Sequence, residues 1–296
     1  MLIVLGSTNL DQIGTVTRLP RPGETVSGHT FSTAPGGKGA NQALAARRAG
    51  AEVRFFSAVG EDAFAPAALE LLQKDGVDLD GVRRTTAHTG IAMILVDEAG
   101  ENVIAVLPGA NADVDTTAAE AALSNRSSGD VLVLQQEIPM ATNRRAVDLA
   151  RAQGVRTLLN IAPFVAETAA LAGDADILIA NETEFALLVG EFGERLEAAM
   201  LERAAASRQI VVVTLGAAGV RIAVDGTVLS IPSLPVEVVD TVGAGDTFCG
   251  YLAAGLAAGD TIERAATRAA AAASLACTRP GAQPSIPYGA DVPVLD

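Results

Sequence analysis

Three apolar segments in the middle of the chain decide its fold class: DVLVLQQ at residues 130–136, VRTLLNIAP at 155–163 and ADILIAN at 175–181. Each is a short run of Val, Leu and Ile that ends in polar residues, which is typical of a strand buried on both faces. The stretches around them carry helical patterns, at 140–152, 164–172, 182–189 and 193–207. Strands that alternate with helices predict an α/β fold with a mainly parallel central sheet and helices on both faces.

The same rhythm extends toward both ends of the chain. Further strands are predicted for MLIVLG at residues 1–6, EVRFFSAVG at 52–60 and QIVVVTLG at 209–216, and a hairpin for GVRIAVDGTVLSIP at 219–232. Further helices are predicted at 40–50, 63–74, 244–258 and 261–277. We therefore expect residues 1–296 to form one large α/β domain.

Two segments depart from this rhythm, at about residues 10–33 and 88–107. They alternate polar and apolar residues around the turns PRPGE (20–24) and DEAGE (97–101), which favours strands with one exposed face. We expect them to form a small β-strand subdomain beside the main sheet. Such a sheet serves as a lid over a ligand or as a dimer surface.

Bulk composition excludes several classes of function. A formal net charge of −14 argues against a nucleic-acid partner, which needs clustered Lys and Arg. Two cysteines offer no disulfide framework, and no apolar run reaches the ~18 residues of a membrane span. The N-terminus has no basic region of the kind that opens a signal peptide. We expect a cytoplasmic protein that does not contact a membrane.

The segment DTVGAGDTFCG, residues 240–250, is the strongest candidate for chemistry. A helix that begins near Ala244 would present the free N–H groups of Ala244, Gly245 and Asp246 to an anion such as phosphate. Asp246 would then lie beside the transferring group, where it could accept a proton from an attacking hydroxyl. The alternative is a tight glycine turn in which Asp246 only caps the helix. This segment alone leaves both interpretations open, because neither a P-loop nor a dinucleotide-binding fingerprint occurs in it.

Other polar clusters follow predicted strands or open predicted helices. PGGKGANQA at residues 35–43 offers close backbone approach at Gly36 and Gly37, with Lys38 and Asn41 on one helix face. Further candidates lie past the ends of strands: Asn9 and Asp11, Glu137, and the pair Asn181 and Glu184. Each has a plainer alternative, such as a strand edge or a helix cap, but together they are what one ligand cleft requires.

These motifs resemble the PfkB family of carbohydrate kinases, and the resemblance runs from about residue 2 to 288. PGGKGANQA is similar to the N-terminal signature of the family and DTVGAGDTFCG to its C-terminal one. GSTNLD, PRPGETVSG, GENVIAVLPGAN, NETE and TRPGAQPSIP resemble the ribose-phosphorylating members most. The resemblance implies ATP-dependent phosphorylation of D-ribose at its 5-hydroxyl.

The resemblance also implies roles for individual residues. Asp246 would be the catalytic base, and the backbone N–H groups of Gly243, Ala244 and Gly245 would form the anion hole. Positions that match the sugar-binding ones are Asn9, Asp11, Gly37, Lys38, Asn41, Glu137 and Asp246. Positions that match the nucleotide side are Asn181, Thr214, Gly216 and Gly245, with Glu184 serving Mg²⁺ through water or phosphate.

A monovalent cation, normally K⁺, is a further implication of the resemblance. The matching positions are Asp240, Val242, Ala276, Arg279, Gly281 and Ser285, most of them through backbone carbonyls. The cation would act by ordering the loop before Gly243. The resemblance and the predicted lid together suggest a homodimer in which strands of two subunits pair over the sites.

The sequence departs from the family pattern in two places. The usual NPAP is NIAP here, at residues 160–163, and Ala270 stands where some relatives place a His against adenine. Alternatives therefore stay open: a kinase of deoxyribose, fructose, a sugar acid or a nucleoside, or a non-catalytic sugar- or nucleotide-binding protein. A nucleoside would favour aromatic stacking, for which the predicted lid offers only Phe31.

Overall fold

The computed structural model describes residues 1–190 and 193–294. Its strands are β1 (Leu2–Leu5), β2 (Asn9–Val16), β3 (Gly28–Gly36), β4 (Val53–Gly60), β5 (Asp78–Thr85), β6 (Gly90–Val96), β7 (Asn102–Leu107), β8 (Val131–Leu134), β9 (Arg156–Asn160), β10 (Ile177–Asn181), β11 (Ile210–Thr214), β12 (Val220–Val224) and β13 (Thr227–Ile231). Its α-helices are α1 (Lys38–Arg48), α2 (Phe64–Lys74), α3 (Thr116–Ala122), α4 (Met140–Gln153), α5 (Thr168–Ala172), α6 (Glu182–Val189), α7 (Leu196–Ser207), α8 (Ala244–Ala257) and α9 (Ile262–Ala276). The α/β class predicted from the alternating pattern is confirmed.

The main sheet has nine strands in the order β13-β12-β11-β10-β9-β8-β1-β4-β5. The strands from β11 to β5 are parallel, whereas β12 and β13 add an antiparallel hairpin at one edge. Strand β1 lies inside the sheet, with Leu2 paired to Val53 of β4 on one side and to Val131 of β8 on the other. Because parallel strands end at the same edge, β1, β8, β9, β10 and β11 deliver their C-terminal residues to one side of the sheet.

Helices cover both faces of this sheet, as predicted. Leu2 and Val4 of β1 point into one apolar cluster together with α1, α8 and α9, while Ile3 and Leu5 point into a second cluster with α3 and α4. The alternation follows from the two-residue period of a strand. A core on each face explains why the central strands are continuous apolar runs.

A separate four-stranded sheet, in the order β3-β2-β6-β7, forms the lid. The predicted hairpin at 88–107 is present as the antiparallel pair β6–β7, and β2 joins β6 in parallel and β3 in antiparallel. One edge strand, β7, is exposed along its whole length although it is apolar in composition, NVIAVL. The lid therefore carries an uncovered apolar strand.

Three elements differ from the sequence predictions. Helix α5 begins at Thr168 rather than at 164, because Val165 donates from its backbone N–H to Oγ1 of Thr168 at 3.0 Å and forms a turn instead. Strand β5 (DLDGVRRT) and helix α3 (TTAAEAA) were not predicted, since β5 is polar and half-buried at the sheet edge and α3 is only seven residues long. Within the described ranges, no helix combines the length and apolar character needed to span a bilayer.

Candidate active site

The predicted polar residues converge where β9, β10 and β11 end and α1, α6 and α8 begin. A cavity of about 130 Å³ lies there, lined by Lys38, Asn160, Ala162, Ile179, Ala180, Asn181, Glu184, Thr214, Gly243, Gly245, Asp246 and Cys249. The predicted sugar-side residues Asn9, Asp11, Asn41 and Glu137 are not part of its lining. A second cavity, of about 610 Å³, shares Thr214 and Gly245 with it. The two spaces therefore adjoin at the first turn of α8.

The first turn of α8 has the form of an anion site. Gly243 caps the helix with φ 78°, a left-handed conformation that favours glycine, and a Cβ built there would lie 2.9 Å from Cα of Ala282. Among the described residues, no chain acceptor pairs with the amides of Gly245 and Asp246, as predicted. The amide of Ala244 differs from the prediction: it donates to the carbonyl of Thr241 at 3.2 Å, because the residues before Gly243 turn back toward the helix.

Gly245 leaves room at this site. A Cβ built on Gly245 would meet no atom within 4 Å, so packing within the chain does not require a glycine there. Glycine is unfavourable within a helix by roughly 0.5–1 kcal/mol relative to Ala. Its presence in the first turn, beside both cavities, is what close approach of a ligand would require.

Asp246 is 8% exposed and its carboxylate is held by two neighbouring side chains of α1. Asn41 donates from Nδ2 to Oδ2 at 2.9 Å, and Gln42 donates from Nε2 to Oδ1 at 2.9 Å. The side-chain oxygen Oδ1 of Asn41 is buried and has no hydrogen-bond partner in the described part of the chain. Asn41 thus keeps a free acceptor next to the acid.

The glycines of PGGKG are approached by the chain itself. A Cβ built on Gly36 would lie 2.4 Å from Oδ2 of Asp11, and one on Gly37, where φ is 88°, would lie 2.7 Å from the amide nitrogen of Asn9. The close approach that this motif was predicted to allow is therefore made by the chain segment after β1, which packs against both glycines. This contact brings Asn9 and Asp11 to the N-terminus of α1.

One side-chain oxygen of Asn9 and one of Glu137 accept hydrogen bonds from neighbouring residues of the chain. Oδ1 of Asn9 accepts from Nδ2 of Asn111 at 2.8 Å, and Asn111 also pairs with both backbone groups of Thr8. Oε2 of Glu137 accepts from Oγ of Ser7 at 2.5 Å and from the amide of Lys38 at 3.0 Å. Glu137 thereby caps α1 from another element, while Nδ2 of Asn9 has no hydrogen-bond partner within the described part of the chain.

The charged side chains at this end of the sheet shift one another's pKa values. Burial raises the pKa of Asp11 to about 7, and the nearby carboxylates of Glu137 and Asp246 raise it further. The positive charge of Lys38 acts in the opposite direction but is the weaker effect. Burial acts to lower the pKa of Lys38, but Asp246, Glu137 and Glu184 outweigh it, so the pKa is raised. The ammonium of Lys38, a half-buried residue, thus lies among several carboxylates.

Asn181 and Glu184 form the helix cap that was the plainer interpretation of NETE. Oδ1 of Asn181 accepts from the amide of Glu184 at 2.8 Å, and Oε2 of Glu184 accepts from the amide of Asn181 at 3.0 Å. Both residues also line the smaller cavity with Asp246. Capping and a place in the cavity are therefore compatible here.

Thr214 and Gly216 line the larger cavity, as does Ala270 of α9. Most of its wall is apolar, with Val220, Leu234, Val236, Val238 and Phe248. A mainly apolar cleft beside an anion site suits a ligand with a flat apolar body and a charged end.

Asp240 ties together the loops that carry the predicted cation ligands. Its Oδ1 accepts from the amide of Val242 at 3.0 Å, and its Oδ2 accepts from the amide of Gly281 at 2.8 Å. The carbonyl of Ala276 accepts from the amide of Arg279 at 3.3 Å, and Oγ of Ser285 donates to the carbonyl of Ala282 at 2.8 Å. Asp240 thereby joins the loop before α8 to the loop after α9, the two segments that carry most of the predicted cation ligands.

The donor set for a divalent cation is smaller. In the described ranges, no three His, Cys, Asp or Glu side chains cluster closely enough to hold a metal ion. Glu184 and Asp246 nevertheless line one cavity with the free amides of α8. Two carboxylates beside an anion site fit a hard cation that takes most of its oxygen ligands from phosphate and water.

Sequence reasoning missed Gln42 and Asn111 as members of the site. Gln42 follows Asn41 directly, and its position on the inner side of α1 is that of a core residue. Asn111 ends the segment GENVIAVLPGAN and gave no signal of its own, since its partners Thr8 and Asn9 are 103 and 102 residues away. Only the fold brings these residues together.

The sequence pattern of pfkB family carbohydrate kinases matches residues 1–288. The chain belongs to the PfkB carbohydrate kinase family. The match covers both glycine motifs and every candidate residue named above. It assigns the chain to a family of enzymes that phosphorylate carbohydrates.

PfkB relatives with similar sequences and structures include ribokinases. The chain is 38% identical to the ribokinase of Bacillus subtilis over 295 residues, which are 99% of this chain and 98% of the relative. The ribokinase structure from Thermotoga maritima superposes with a TM-score of 0.89 at 33% identity, covering 99% of this chain and 97% of that one. An Arabidopsis thaliana ribokinase complexed with ribose and ATP gives a TM-score of 0.85 at 34% identity, with coverages of 98% and 96%.

Proposed function

We propose that this chain is an ATP-dependent ribose kinase that phosphorylates the 5-hydroxyl. The observation that carries the proposal is the position of Asp246: its carboxylate lies in the same cavity as the free amides at the start of α8. A base and an anion site side by side are what the transfer of a phosphoryl group to a hydroxyl requires.

In the proposed reaction, Asp246 takes the proton of the attacking hydroxyl. The hydroxyl oxygen forms a bond to the γ-phosphorus, and the bond between that phosphorus and the oxygen bridging to the β-phosphate breaks, which releases ADP. The amides of Gly245 and Asp246, together with that of Gly243, stabilise the negative charge on the transferring group. The helix dipole of α8 acts in the same direction.

The sugar would lie between the lid and α1. Asn9, Asp11, Asn41 and Glu137 present carboxylate and amide groups suited to hydroxyls, and Asn41 has a buried acceptor without a partner among the described residues. Gly37 and Lys38 complete this side. The positive charge of the half-buried Lys38 offsets the nearby carboxylates of Asp246, Glu137 and Glu184.

The nucleotide would occupy the larger cavity, with adenine against its apolar wall and the phosphates toward Gly245. Thr214 and Gly216 line this space, and Asn181 and Glu184 lie at the phosphate end. Mg²⁺, when bound with ATP, would supply positive charge to the phosphate oxygens. Glu184 and Asn181 would orient it from the capped start of α6.

A monovalent cation would bind between the loops that Asp240 joins. Its ligands would be Asp240 and carbonyls from the set Val242, Ala276, Arg279, Gly281 and Ser285. Because Gly243 packs on Ala282 of the second loop, order in that loop fixes the amides of the anion hole. K⁺ would therefore change kcat without touching the sugar.

The chain would act as a homodimer through its lid. The uncovered apolar strand β7 and the exposed Phe31 and Met93 form a surface that water solvates poorly. Pairing of two lids would cover this surface and lie over the sugar sites.

The substrate assignment is tested by measuring ADP formation from Mg-ATP with a panel of acceptors, with and without K⁺. The panel contains ribose, deoxyribose, fructose, a sugar acid and a nucleoside, and ³¹P NMR locates the new phosphate ester. Ribose is expected to give the highest kcat/KM, with the phosphate on its 5-oxygen. A higher kcat/KM on another acceptor would replace ribose but keep the mechanism, whereas binding without turnover on any acceptor would favour a non-catalytic protein.

A further inference from the structure

Helices α1 and α8 pack closely at Gly250, one turn after Asp246. A Cβ built on Gly250 would lie 2.5 Å from the backbone oxygen of Gln42 and 2.5 Å from Cβ of Ala45. No side chain fits between the helices at this point. The close crossing brings the side chain of Gln42 against Asp246.

Gln42 is fully buried and every polar atom of its side chain is paired. Its Nε2 donates to Oδ1 of Asp246 at 2.9 Å and to Oδ1 of Asn160 at 3.2 Å, while its Oε1 accepts from Nε2 of Gln135 at 2.8 Å. The bond from Gln135 fixes which end of the Gln42 amide faces the acid. Gln135 is itself fully buried against Gly6, where a Cβ would lie 1.9 Å from its Oε1.

The two oxygens of Asp246 are therefore not equivalent. Oδ1 accepts from Gln42, whose fully buried side chain is held by Gln135, whereas Oδ2 accepts from Asn41, whose own Oδ1 has no partner among the described residues. A carboxylate that can accept a proton at only one oxygen must be held against rotation about its last bond. Gln42 at Oδ1 and Asn41 at Oδ2 supply that restraint together, and Gln42 is the fully buried one of the two.

We propose that Gln42 is a positioning residue for the base: it fixes the Asp246 carboxylate so that Oδ2 alone is presented to the sugar hydroxyl. This inference rests on the proposed kinase function. Gln135 supports Gln42 by holding its amide in the donating orientation. Neither glutamine touches the substrates in this arrangement.

The test compares Gln42→Met and Gln42→Glu with wild type by steady-state kinetics and by calorimetric binding of sugar and ATP analogue. Gln42→Met removes the donor at Oδ1 while keeping the length of the side chain, and Gln42→Glu replaces the amide with a carboxyl group beside the Asp246 carboxylate. We expect kcat to fall by about 10²-fold, since small displacements of a catalytic group cost this much, with both dissociation constants within about twofold of wild type, because Gln42 contacts neither ligand.

A matched control is Gln209→Met. Gln209 is also a buried glutamine, but it donates to the backbone oxygens of Ala172 and Ala175, and it precedes β11 at the opposite end of the strand from Thr214. We expect this variant to lose thermal stability while kcat per folded molecule stays unchanged. It separates the loss of a buried hydrogen bond from the loss of a positioned base.

A double-mutant cycle distinguishes positioning from general damage. In an Asp246→Asn background, Gln42→Met is expected to cause no further loss of residual turnover, because it acts through the missing carboxylate. Should Gln42→Met fail to fold, Gln135→Met provides the same test one step further out, with a smaller loss of kcat.

Several outcomes would overturn the assignment. These are an unchanged kcat in Gln42→Met, an equal loss in both backgrounds, or a loss that parallels weaker binding of both ligands. If wild type turns over an acceptor and Gln42→Met has the same kcat, only this inference is overturned. A wild type that turns over none of the acceptors overturns the kinase function and this role with it.

Discussion

Asn41 donates from Nδ2 to Oδ2 of Asp246 at 2.9 Å, although 205 residues separate the two along the chain. The bond joins the two glycine motifs, since one supplies the first turn of α1 and the other the first turn of α8. One side chain thus links the proposed sugar site to the proposed base. The predictions below test different parts of this junction.

Gly245→Ala should separate stability from activity. Its Cβ would meet open space, so the fold accepts it and helix propensity adds up to about 1 kcal/mol to the free energy of unfolding. The added methyl group would fill the space beside the free amides, so we expect kcat to fall at least about 10²-fold. Urea denaturation and steady-state kinetics measure the two effects on the same preparation.

Gly250→Ala is the matched control in the same helix. There the new Cβ would lie 2.5 Å from Cβ of Ala45, so we expect the free energy of unfolding to fall by roughly 1–3 kcal/mol. If Gly245→Ala lowered the free energy of unfolding as Gly250→Ala does, the space beside Gly245 would not be open in the folded protein, and the case that it is kept for a ligand would fail.

Asp11→Asn should remove a pH dependence of stability. The pKa of Asp11 is raised to about 7 by burial, with Glu137 and Asp246 adding to it, while the unfolded value is about 4. Between these values the unfolded chain releases the proton and the folded chain keeps it, so the stability of wild type falls as pH rises from about 4 to about 7. From this pKa shift, the loss in the free energy of unfolding can reach at most about 4 kcal/mol. The variant should therefore be the more stable protein at pH 8.

Asp115→Asn provides a comparison of opposite sign. The hydrogen bond from Thr117 and the nearby Arg83 lower the pKa of Asp115 to about 2. Its stabilising effect is present above about pH 4 and is lost as pH falls toward 2. Chemical denaturation from pH 3 to 8 follows both variants; equal pH profiles for Asp11→Asn and wild type would contradict the raised pKa.

Asn111→Asp should weaken sugar binding and leave ATP binding unchanged. Asn111 donates to Oδ1 of Asn9, which leaves the amide group of Asn9 free for a hydroxyl. A carboxylate at 111 would repel Oδ1 of Asn9 and turn the wrong end of its side chain toward the sugar. We expect KM for the sugar to rise about tenfold or more, as for the loss of a good hydrogen bond. A rise in KM for ATP of the same size would show general damage instead.

Ile104→Glu should disrupt the proposed dimer. Ile104 lies on β7 and is 51% exposed, so a charge there costs the single chain little but would be buried between two lids. Light scattering should give a dimer for wild type and a monomer for the variant. Leu187→Glu, at a 60% exposed position on α6, should leave the mass unchanged. A wild type that is monomeric at all concentrations would contradict the lid as a dimer surface.

Much of the fold could be predicted because its central strands carry a local signal. Segments such as VLVL in β8 and ILIA in β10 are buried on both faces, and their composition alone indicates a covered parallel strand. Strand β5 carries no such signal, since it is half-buried at an edge and its sequence, DLDGVRRT, is that of a loop. Edge elements owe their structure to a neighbour rather than to their own composition.

The site could be predicted in its candidates but not in its contacts. The sequence indicated that Gly36 and Gly37 permit close approach, yet only the fold shows that Asp11 and Asn9 fill that space. It likewise indicated Asp246 but not Gln42, because a buried glutamine in a helix gives no local sign of its partner. Long-range pairing between side chains is decided by packing, which no short segment encodes.

The most direct measurement compares wild type with Asp246→Asn in ADP formation from Mg-ATP and ribose, with sugar binding measured by calorimetry on the same samples. If Asp246 is the base, kcat should fall by roughly 10²–10⁴-fold, the contribution of a general base. The dissociation constant for ribose should change by less than about tenfold, because the other sugar-side groups remain in place. A variant that keeps more than a tenth of the wild-type kcat would contradict the proposed role of Asp246 in phosphoryl transfer.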